Sequence, residues 1–180
     1  PRAACRRRVW PFPCWRLAPR RGGSQAPRFP SAAIRDGRRP LIPVKNLGDC
    51  PSGVHARKPG TPVLVEGPFG KFVERPANPK VLLIAGGIGI TPIRPLAEEM
   101  AADGFDVQLL YRAHDQGDIV FRKELDALAS HHGVRVAYLL TETGSRSGNR
   151  KSWFEPRSLK QLVPDVAERA VYICGPQGMT

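Results

Sequence analysis

Residues 81–100, VLLIAGGIGITPIRPLAEEM, constrain the fold more than any other stretch of the sequence. An apolar run of the length of a buried strand leads into three glycines, and a helical pattern follows. Glycine permits backbone conformations that a Cβ forbids, Thr91 is a favourable N-cap residue, and Pro92 suits the first helical position. The stretch predicts a turn whose free N–H groups and helix dipole favour a phosphate. The alternative is a tight strand-to-helix turn without a ligand.

Strands and helices alternate from Asn78 onward. The predicted strands are Val81–Ala85, Val107–Tyr111, Val134–Leu140 and Ala170–Cys174, and the predicted helices are Pro92–Ala102, Ile119–Ser130 and Pro156–Leu162. The second helix is expected to place Phe121, Leu125 and Leu128 inward. Because strands joined by helices form right-handed crossovers, the pattern predicts an α/β class with a parallel sheet, the architecture of a nucleotide-binding domain.

The chain before this domain has two parts. The stretches LIPVKNLGD and TPVLVEGPFGKF, with the turn signal KPGT between them, predict two or three strands of an antiparallel unit. Residues 1–43 contain eleven Lys/Arg against the single acid Asp36, whereas residues 44–180 contain seventeen against fifteen. This Arg- and Pro-rich segment has no apolar period, so we expect a disordered basic arm.

Composition also bears on partners and location. The aromatic residues Trp10, Phe12 and Trp15 among the arginines leave nucleic-acid binding open as an alternative for the arm, and nothing in the remaining sequence supports it. No apolar run reaches the roughly 18–20 residues of a membrane helix. The four cysteines lack metal-type spacing and a disulfide pattern, which favours a reducing compartment: the cytoplasm or the cytoplasmic face of a membrane. We also expect the sequence to be truncated at both ends.

The carboxyl ends of the predicted parallel strands meet at one edge, where open α/β sheets bind ligands. Arg112 follows the second strand, and it either faces the adenosine half of a dinucleotide or is a solvated loop cation. The motif YICGPQGM brings Cys174 to the same edge, although a lone cysteine is usually a small core residue. Asp106 precedes its strand and is therefore at the wrong end to bind a ribose.

Five motifs, VEGPFGKF, VLLIAGGIGITPI, VQLLYRA, IVFRKEL and VYICGPQGM, resemble in order the ferredoxin–NADP reductase superfamily. Within this superfamily the sequence is most similar to bacterial ferric-reductase-like flavin oxidoreductases. The resemblance covers about residues 44–180. The resemblance implies FAD on an antiparallel barrel and NADH or NADPH on the α/β domain, with hydride passing from nicotinamide to flavin. Electrons would then pass to ferric iron, a haem or an iron–sulfur protein, and relatives carry a membrane haem domain.

The resemblance also implies residue roles. The pyrophosphate and ribose would be held by Gly86, Gly87, Gly89, Ile90, Thr91 and Pro92, with Arg112 near the adenosine. Cys174 would lie beside the nicotinamide ring at the catalytic position, together with Gly175 and Pro176. Phe69 and Gly70 would lie near the flavin, and the nearest approximation to the flavin signature is Arg28, Phe29 and Ser31.

The flavin signature departs from the family pattern, because Pro30 is inserted and would turn the hydroxyl of Ser31 to the opposite face of a strand. The predicted organisation is therefore a basic arm (1–43), a partial FAD-binding barrel (44–78) and an NAD(P)-binding domain without its C-terminal end (79–180). The alternative to a reductase is an inactive fragment that binds NAD(P)H only.

Overall fold

A computed structural model of the chain divides into two compact units, Pro1–Arg75 and Pro76–Thr180. Backbone and side chains are described for residues 44, 58–62, 76–141, 153–176 and 179. For residues 14–19, 28–30, 32–33, 40–41 and 63–69 the structure describes the backbone. The division after Arg75 lies close to the boundary that the sequence places after residue 78.

Within its described residues the first unit contains five short strands. They are β1 (Cys14–Pro19), β2 (Arg28–Pro30), β3 (Ala32–Ala33), β4 (Pro40–Leu41) and β5 (Val63–Phe69). β1 lies between β2 and β5 in an antiparallel sheet, and β3 pairs antiparallel with β4. The predicted KPGT turn precedes β5: the N–H of Thr61 donates to the carbonyl of Lys58 over 3.1 Å, and Gly60 has a φ of 85°.

The structure differs from the sequence prediction at β1, which lies inside the segment expected to be a disordered arm. β1 pairs with β5 from Cys14 opposite Phe69 to Pro19 opposite Val63. Arginines dominate the composition of residues 1–43. Composition therefore does not reveal the local run CWRLAP, which carries a single charge and forms β1. The antiparallel unit therefore begins earlier in the chain than Val44.

In the described residues of the second unit, four parallel strands form a sheet in the order β8-β7-β6-β9. The strands are β6 (Lys80–Gly86), β7 (Asp106–Ala113), β8 (Arg135–Leu140) and β9 (Ala170–Cys174). The helices are α1 (Ile90–Ala102), α2 (Arg122–His132) and α3 (Pro156–Leu162). The predicted α/β class with a parallel sheet is confirmed.

The two central strands of this sheet, β6 and β7, are buried on both faces, whereas Val171 and Ile173 of β9 are exposed. On one face, buried side chains of three strands pack with the residue that follows α3. We call this group the α3-face cluster; it consists of Leu82, Ile84, Leu110, Leu139 and Val163. Side chains alternate between the faces of a strand, and the alternate positions Leu83 and Leu109 are fully buried on the face that α1 covers. Helices thus cover these two central strands on both sides, and the strand ends are the place for a ligand.

α2 begins at Arg122, three residues after the predicted start at Ile119. Phe121 has a left-handed φ of 61° and precedes the helix, so the prediction that it lies inward on the helix is wrong. The predicted inward positions Leu125 and Leu128 are buried. Phe121 belongs to the turn before the helix, and its spacing of four residues from Leu125 is the spacing of a helix face.

The helices of the second unit are short. α1 has 13 residues, α2 has 11 and α3 has 7, whereas about 20 apolar residues are needed to cross a bilayer. None of the helices in the described ranges has the length and apolar character of a membrane span.

Candidate functional site

The glycine turn joins β6 to α1 at the carboxyl edge of the sheet. β6 ends at Gly86, residues Gly87–Gly89 form one turn of 3-10 helix, and α1 continues from Ile90. The first N–H groups of a helix have no partner within it, so those at the start of this turn are available to a ligand. The glycine turn therefore places the amino end of a helix at this edge of the sheet.

Thr91 does not cap the helix as predicted. Because helical winding begins at Gly87, Thr91 lies inside the helix, is fully buried, and donates its hydroxyl to the carbonyl of Ile88 over 2.8 Å. Pro92 is the third residue of α1, not the first, and it has no N–H for that carbonyl. The Thr91 hydroxyl therefore supplies the hydrogen bond that Pro92 lacks.

The CGP motif packs directly against the glycine turn. Cys174 is the register partner of Ala85, so the chain that leaves β9 passes beside the turn. A Cβ added to Gly89 would lie 2.1 Å from the carbonyl oxygen of Cys174 and 2.9 Å from the nitrogen of Gly175. Backbone atoms thus occupy the place of a side chain at position 89. The two motifs are therefore in direct backbone contact.

Met179 fills the space next to two further glycines. A Cβ at Gly86 would lie 2.7 Å from Met179 Cε, and a Cβ at Gly175 would lie 2.2 Å from the same atom. The N–H of Met179 donates to the carbonyl of Pro176 over 2.8 Å, and its side chain packs against the α3-face cluster. The glycines at 86 and 175 therefore permit close packing.

Gly87 differs from these glycines. It has a φ of 52°, and apart from its neighbours in the chain no atom of the described residues lies within 4 Å of the place of its Cβ. The adjacent Ile88 is 38% exposed, a high value for a large apolar residue in this unit. The side of the turn formed by Gly87 and Ile88 is open and faces away from the core.

Arg112 lies at the same edge, next to the glycine turn. It is the register partner of Gly86 on β6 and of Leu139 on β8. Its side chain is half-buried, and its Nε donates to Thr141 Oγ1 over 3.4 Å. Among the described residues this is the hydrogen bond of the Arg112 side chain, and its terminal guanidinium nitrogens have no partner there.

The loop after β7 is anchored by Tyr111. The fully buried Tyr111 hydroxyl accepts a hydrogen bond from the N–H of Val120 over 3.2 Å and donates to the carbonyl of Asp118 over 3.5 Å. Burial raises the pKa of Tyr111, so the hydroxyl remains protonated. Within the loop, Asp115 Oδ1 accepts the N–H of Asp118 over 3.0 Å. The buried Tyr111 hydroxyl thus fixes the loop that follows Arg112.

The amino edge of the sheet carries a buried arginine with every donor used. Arg169 Nε and Nη2 donate to Asp165 over 2.8 and 2.9 Å, and Nη2 also donates to Asp106 Oδ2 over 2.9 Å. Nη1 donates to the carbonyls of Val81 and Asp106. Hydrogen bonds from Arg169 and then Lys80 lower the pKa of Asp165 to about 2. Asp106 is committed to the fold at this edge, away from the glycine turn, as the sequence predicts.

The structure brings together most of the predicted dinucleotide residues. Those at the carboxyl edge are Gly86, Gly87, Gly89, Ile90, Thr91, Pro92, Arg112, Cys174, Gly175 and Pro176. Ile90, Thr91 and Pro92 are buried, whereas Cys174 is half-buried and Pro176 is exposed.

The predicted flavin residues lie in the first unit. Phe69 ends β5, and Arg28 and Phe29 lie in β2. Ser31 and Gly70 are outside the described residues. Sequence reasoning missed Arg169 and Met179. The four-residue spacing of Asp165 and Arg169 could have indicated the ion pair of Arg169. No local sequence pattern indicates the packing of Met179.

The family model "Oxidoreductase NAD-binding domain" matches residues 83–180. NADH-cytochrome b5 reductase 2 of Scheffersomyces stipitis is 32% identical over 72% of this chain and 46% of its own length. NADPH oxidoreductase of Mycobacterium tuberculosis is 35% identical over 68% of this chain and 31% of its own length. The chain thus spans less than half the length of these relatives.

The fold agrees with these matches. The cytochrome b5 reductase domain of Ulva prolifera nitrate reductase superimposes with a TM-score of 0.71 and 19% identity, covering 94% of this chain and 76% of that domain. NAD(P)H and FAD are the cofactors of reductases of this type. The sequence motifs, the parallel sheet and the family match lead to one assignment. The chain belongs to the oxidoreductase NAD-binding domain family.

Proposed function

We propose that the protein is an NAD(P)H-dependent flavin oxidoreductase that passes hydride from NAD(P)H to FAD and then electrons to an acceptor. The observation that carries the proposal is the contact between the glycine turn and the CGP motif. Gly89 packs against the backbone of Cys174 and Gly175, which brings a site for phosphates next to a site for a ring. One open edge of the sheet thus joins two parts that a dinucleotide needs.

The residues at this edge fit a dinucleotide. Gly87 leaves open space above the first N–H groups of the helical turn, where a pyrophosphate would accept hydrogen bonds. Arg112 has guanidinium donors that suit the adenosine half. Ile88 is exposed and offers an apolar contact. When bound, NAD(P)H supplies the hydride, and the chain contributes orientation and exclusion of water.

We assign Cys174 a positioning role beside the nicotinamide ring. Its backbone carbonyl is fixed against Gly89, so the end of β9 is rigid relative to the turn. The half-buried thiol presents a small, polarizable surface to a ring stacked there. Gly175 and Pro176 continue this wall.

The electron acceptor is proposed as ferric iron, a haem or an iron–sulfur protein. The names of relatives support an electron-transfer role and differ in the partner: one is a cytochrome b5 reductase and another a glycine betaine monooxygenase reductase subunit. A cytoplasmic location, or the cytoplasmic face of a membrane, remains our proposal from the cysteine pattern.

A second candidate is a module that binds NAD(P)H without redox activity. It is favoured by the backbone around the flavin signature: β2 ends at Pro30, and the chain re-enters a strand at Ala32, which pairs with β4 and not with β1. Arg28 and Phe29 of the signature thus lie in a strand that ends before position 31. That strand end is a reason to test flavin binding directly.

The test is reconstitution of the purified chain with FAD, followed by anaerobic addition of NADH or NADPH. We expect a bound flavin whose visible absorbance bleaches when the nucleotide is added. Saturable binding of NADPH or NADH with no retained flavin would support the second candidate. Absence of both nucleotide and flavin binding would contradict both.

A further inference from the structure

Met179 is a partly exposed methionine at the place where the glycine turn meets the CGP motif. Its residue is half-buried, whereas the other methionine of the sequence, Met100 in α1, is 4% exposed. Oxidation of a methionine requires that an oxidant from the solvent reaches the sulfur, and it converts a flexible apolar side chain into a polar one. The two methionines therefore differ in the exposure that this reaction needs.

The thioether of Met179 lies against the backbone of both motifs. A Cβ at Gly86 would lie 2.8 Å from Met179 Sδ and 2.7 Å from Cε, and a Cβ at Gly175 would lie 2.2 Å from Cε. The same side chain packs against the α3-face cluster. Met179 thus connects the apolar interior of the domain to the glycine turn and to the CGP motif, and its contacts leave no room for an added group beside Gly86.

An oxygen atom bonded to this sulfur would not fit these contacts. A sulfoxide is larger than a thioether, so it must displace neighbouring atoms in a packed place. Its oxygen is also polar, and burying it against apolar side chains is unfavourable unless a donor reaches it. We expect the oxidised side chain to leave its place and the CGP motif to shift relative to the glycine turn.

We propose that Met179 is an oxidation site through which a peroxide weakens dinucleotide binding at the carboxyl edge. The sulfur attacks one oxygen of hydrogen peroxide, an S–O bond forms, the O–O bond breaks, and the second oxygen takes the proton of the first and leaves as water. The sulfur loses two electrons and the peroxide gains them. Methionine sulfoxide reductases reverse the reaction. The effect on binding rests on the proposed function, since it requires a dinucleotide at this edge.

The first experiment asks which sulfur reacts. The full chain is treated with hydrogen peroxide and then with dithiothreitol, which reverses sulfenic acids and disulfides of cysteine and leaves methionine sulfoxide in place. Mass spectrometry of peptides then follows the single added oxygen at each methionine. We expect Met179 to react at least about tenfold faster than Met100, which reacts only when the core opens. Equal rates at the two positions would overturn the inference.

The second experiment measures the affinity for NADPH by fluorescence titration before and after oxidation. A packing penalty of the size that overpacking produces corresponds to about a fivefold to hundredfold change in affinity. We expect the Kd to rise at least about fivefold on oxidation. Treatment with methionine sulfoxide reductase should return the Kd to its initial value.

Variants assign the effect to one sulfur, and each is compared with itself before and after peroxide. Met179→Leu has an apolar side chain of similar volume that peroxide does not oxidise, so its affinity should not change on treatment. Met100→Leu is the matched control and should lose affinity as the unmodified chain does. Met179→Gln introduces a polar group without peroxide and should bind NADPH more weakly than Met179→Leu. Circular dichroism checks that each variant is folded.

The recovery by reductase decides if Met179→Leu does not fold, because Met179 is the one methionine that Met100→Leu retains. Unchanged NADPH affinity in a chain fully oxidised at Met179 would overturn the inference and leave the proposed function intact. Equal loss of affinity in peroxide-treated Met179→Leu would also overturn it. Failure of the untreated chain to bind NADPH would instead overturn the proposed function. The melting temperature then tests the site without a ligand: a fall on oxidation supports it, and an unchanged value overturns it.

Discussion

The two edges of the parallel sheet use arginine in opposite ways. At the amino edge, Arg169 is buried and donates to two carboxylates and two carbonyls, so its hydrogen-bonding capacity is filled by the fold. At the carboxyl edge, Arg112 is half-buried, donates to one hydroxyl and forms no ion pair with a described residue. At the amino edge the fold uses every N–H donor of Arg169. At the carboxyl edge the terminal guanidinium nitrogens of Arg112 have no partner among the described residues.

The glycines repeat this contrast on a smaller scale. Gly89 is required because backbone atoms of Cys174 fill the place of its side chain, whereas Gly87 faces open space with a left-handed φ. In one turn, therefore, Gly89 permits close packing of the backbone, whereas Gly87 leaves space in which a ligand could approach the backbone. We infer that substitutions at the filled positions affect stability, and that substitutions at the open positions affect binding.

The largest expected effect is at Arg169. Arg169→Met removes the donors to two carboxylates and to the carbonyls of Val81 and Asp106. Asp106 keeps its ion pair with Arg135 and Asp165 keeps that with Lys80, so the main loss is at the two carbonyls, at about 1–3 kcal/mol for each buried acceptor without a donor, and we expect the free energy of unfolding to fall by about 2–4 kcal/mol. Urea unfolding measures this loss. Arg157→Met, on the exposed surface of α3, is the control and should change stability little. A normal urea midpoint for Arg169→Met would show that the amino edge is not what stabilises the sheet.

Gly89→Ala comes next. Its Cβ would lie 2.1 Å from the carbonyl oxygen of Cys174, so the backbone of the turn or of β9 must move. Overpacking of this kind costs about 1–3 kcal/mol. We expect a lower melting temperature together with weaker binding of NADPH, since the CGP motif is displaced from the turn. Wild-type values for both quantities would contradict the packing of the two motifs into one site.

Gly87→Asp separates binding from stability. Aspartate tolerates the left-handed region, and the open space accommodates its side chain, so the stability cost should be about 1 kcal/mol or less. The carboxylate would repel a pyrophosphate, and we expect at least about tenfold weaker NADPH binding in a fluorescence titration. Gly133→Asp is the control, because Gly133 also has a left-handed φ and open space but follows α2. Equal loss of binding in both variants would contradict the assigned site.

The smallest expected effect is a dependence of stability on pH at Asp165. Its pKa falls from an ordinary 3.8 to about 2 because Arg169 and Lys80 donate to the carboxylate. The stabilisation is therefore complete above pH 3.8 and is lost as the pH falls through about 2. Asp165→Asn should lower the urea midpoint at about pH 6, and its difference from the wild type should shrink near about pH 2.5. A difference independent of pH would exclude ionisation as the cause.

The sequence predicted the fold of the second unit well, because its information is local. Apolar runs bounded by turns predicted β9 and α3 with the observed bounds, and the glycine turn was placed correctly. The predicted start of α2 was wrong because Phe121 continues the apolar spacing of the helix while the chain is still in a turn. Thr91 was taken as an N-cap because the preceding 3-10 turn has no sequence signature.

The candidate site was predictable in its members and not in their contacts. Arg112 and Cys174 follow strands, so their edge could be deduced from parallel topology. The contact between Gly89 and Cys174 joins positions 85 residues apart, and the bond of Arg169 to Asp106 spans 63 residues. No local pattern encodes such pairs. The three-dimensional structure is therefore needed to see that the donors of Arg169 are used at the amino edge, while Arg112 at the carboxyl edge has one described hydrogen bond.

The most direct measurement is a map of NADPH binding by amide chemical shifts in isotope-labelled protein. We expect saturable shifts at Gly87, Ile88, Arg112 and Gly175, with the amides of Asp106, Asp165 and Arg169 unchanged. Shifts centred on the amino edge, or no saturable shifts in either place, would contradict the assignment of the carboxyl edge as the dinucleotide site.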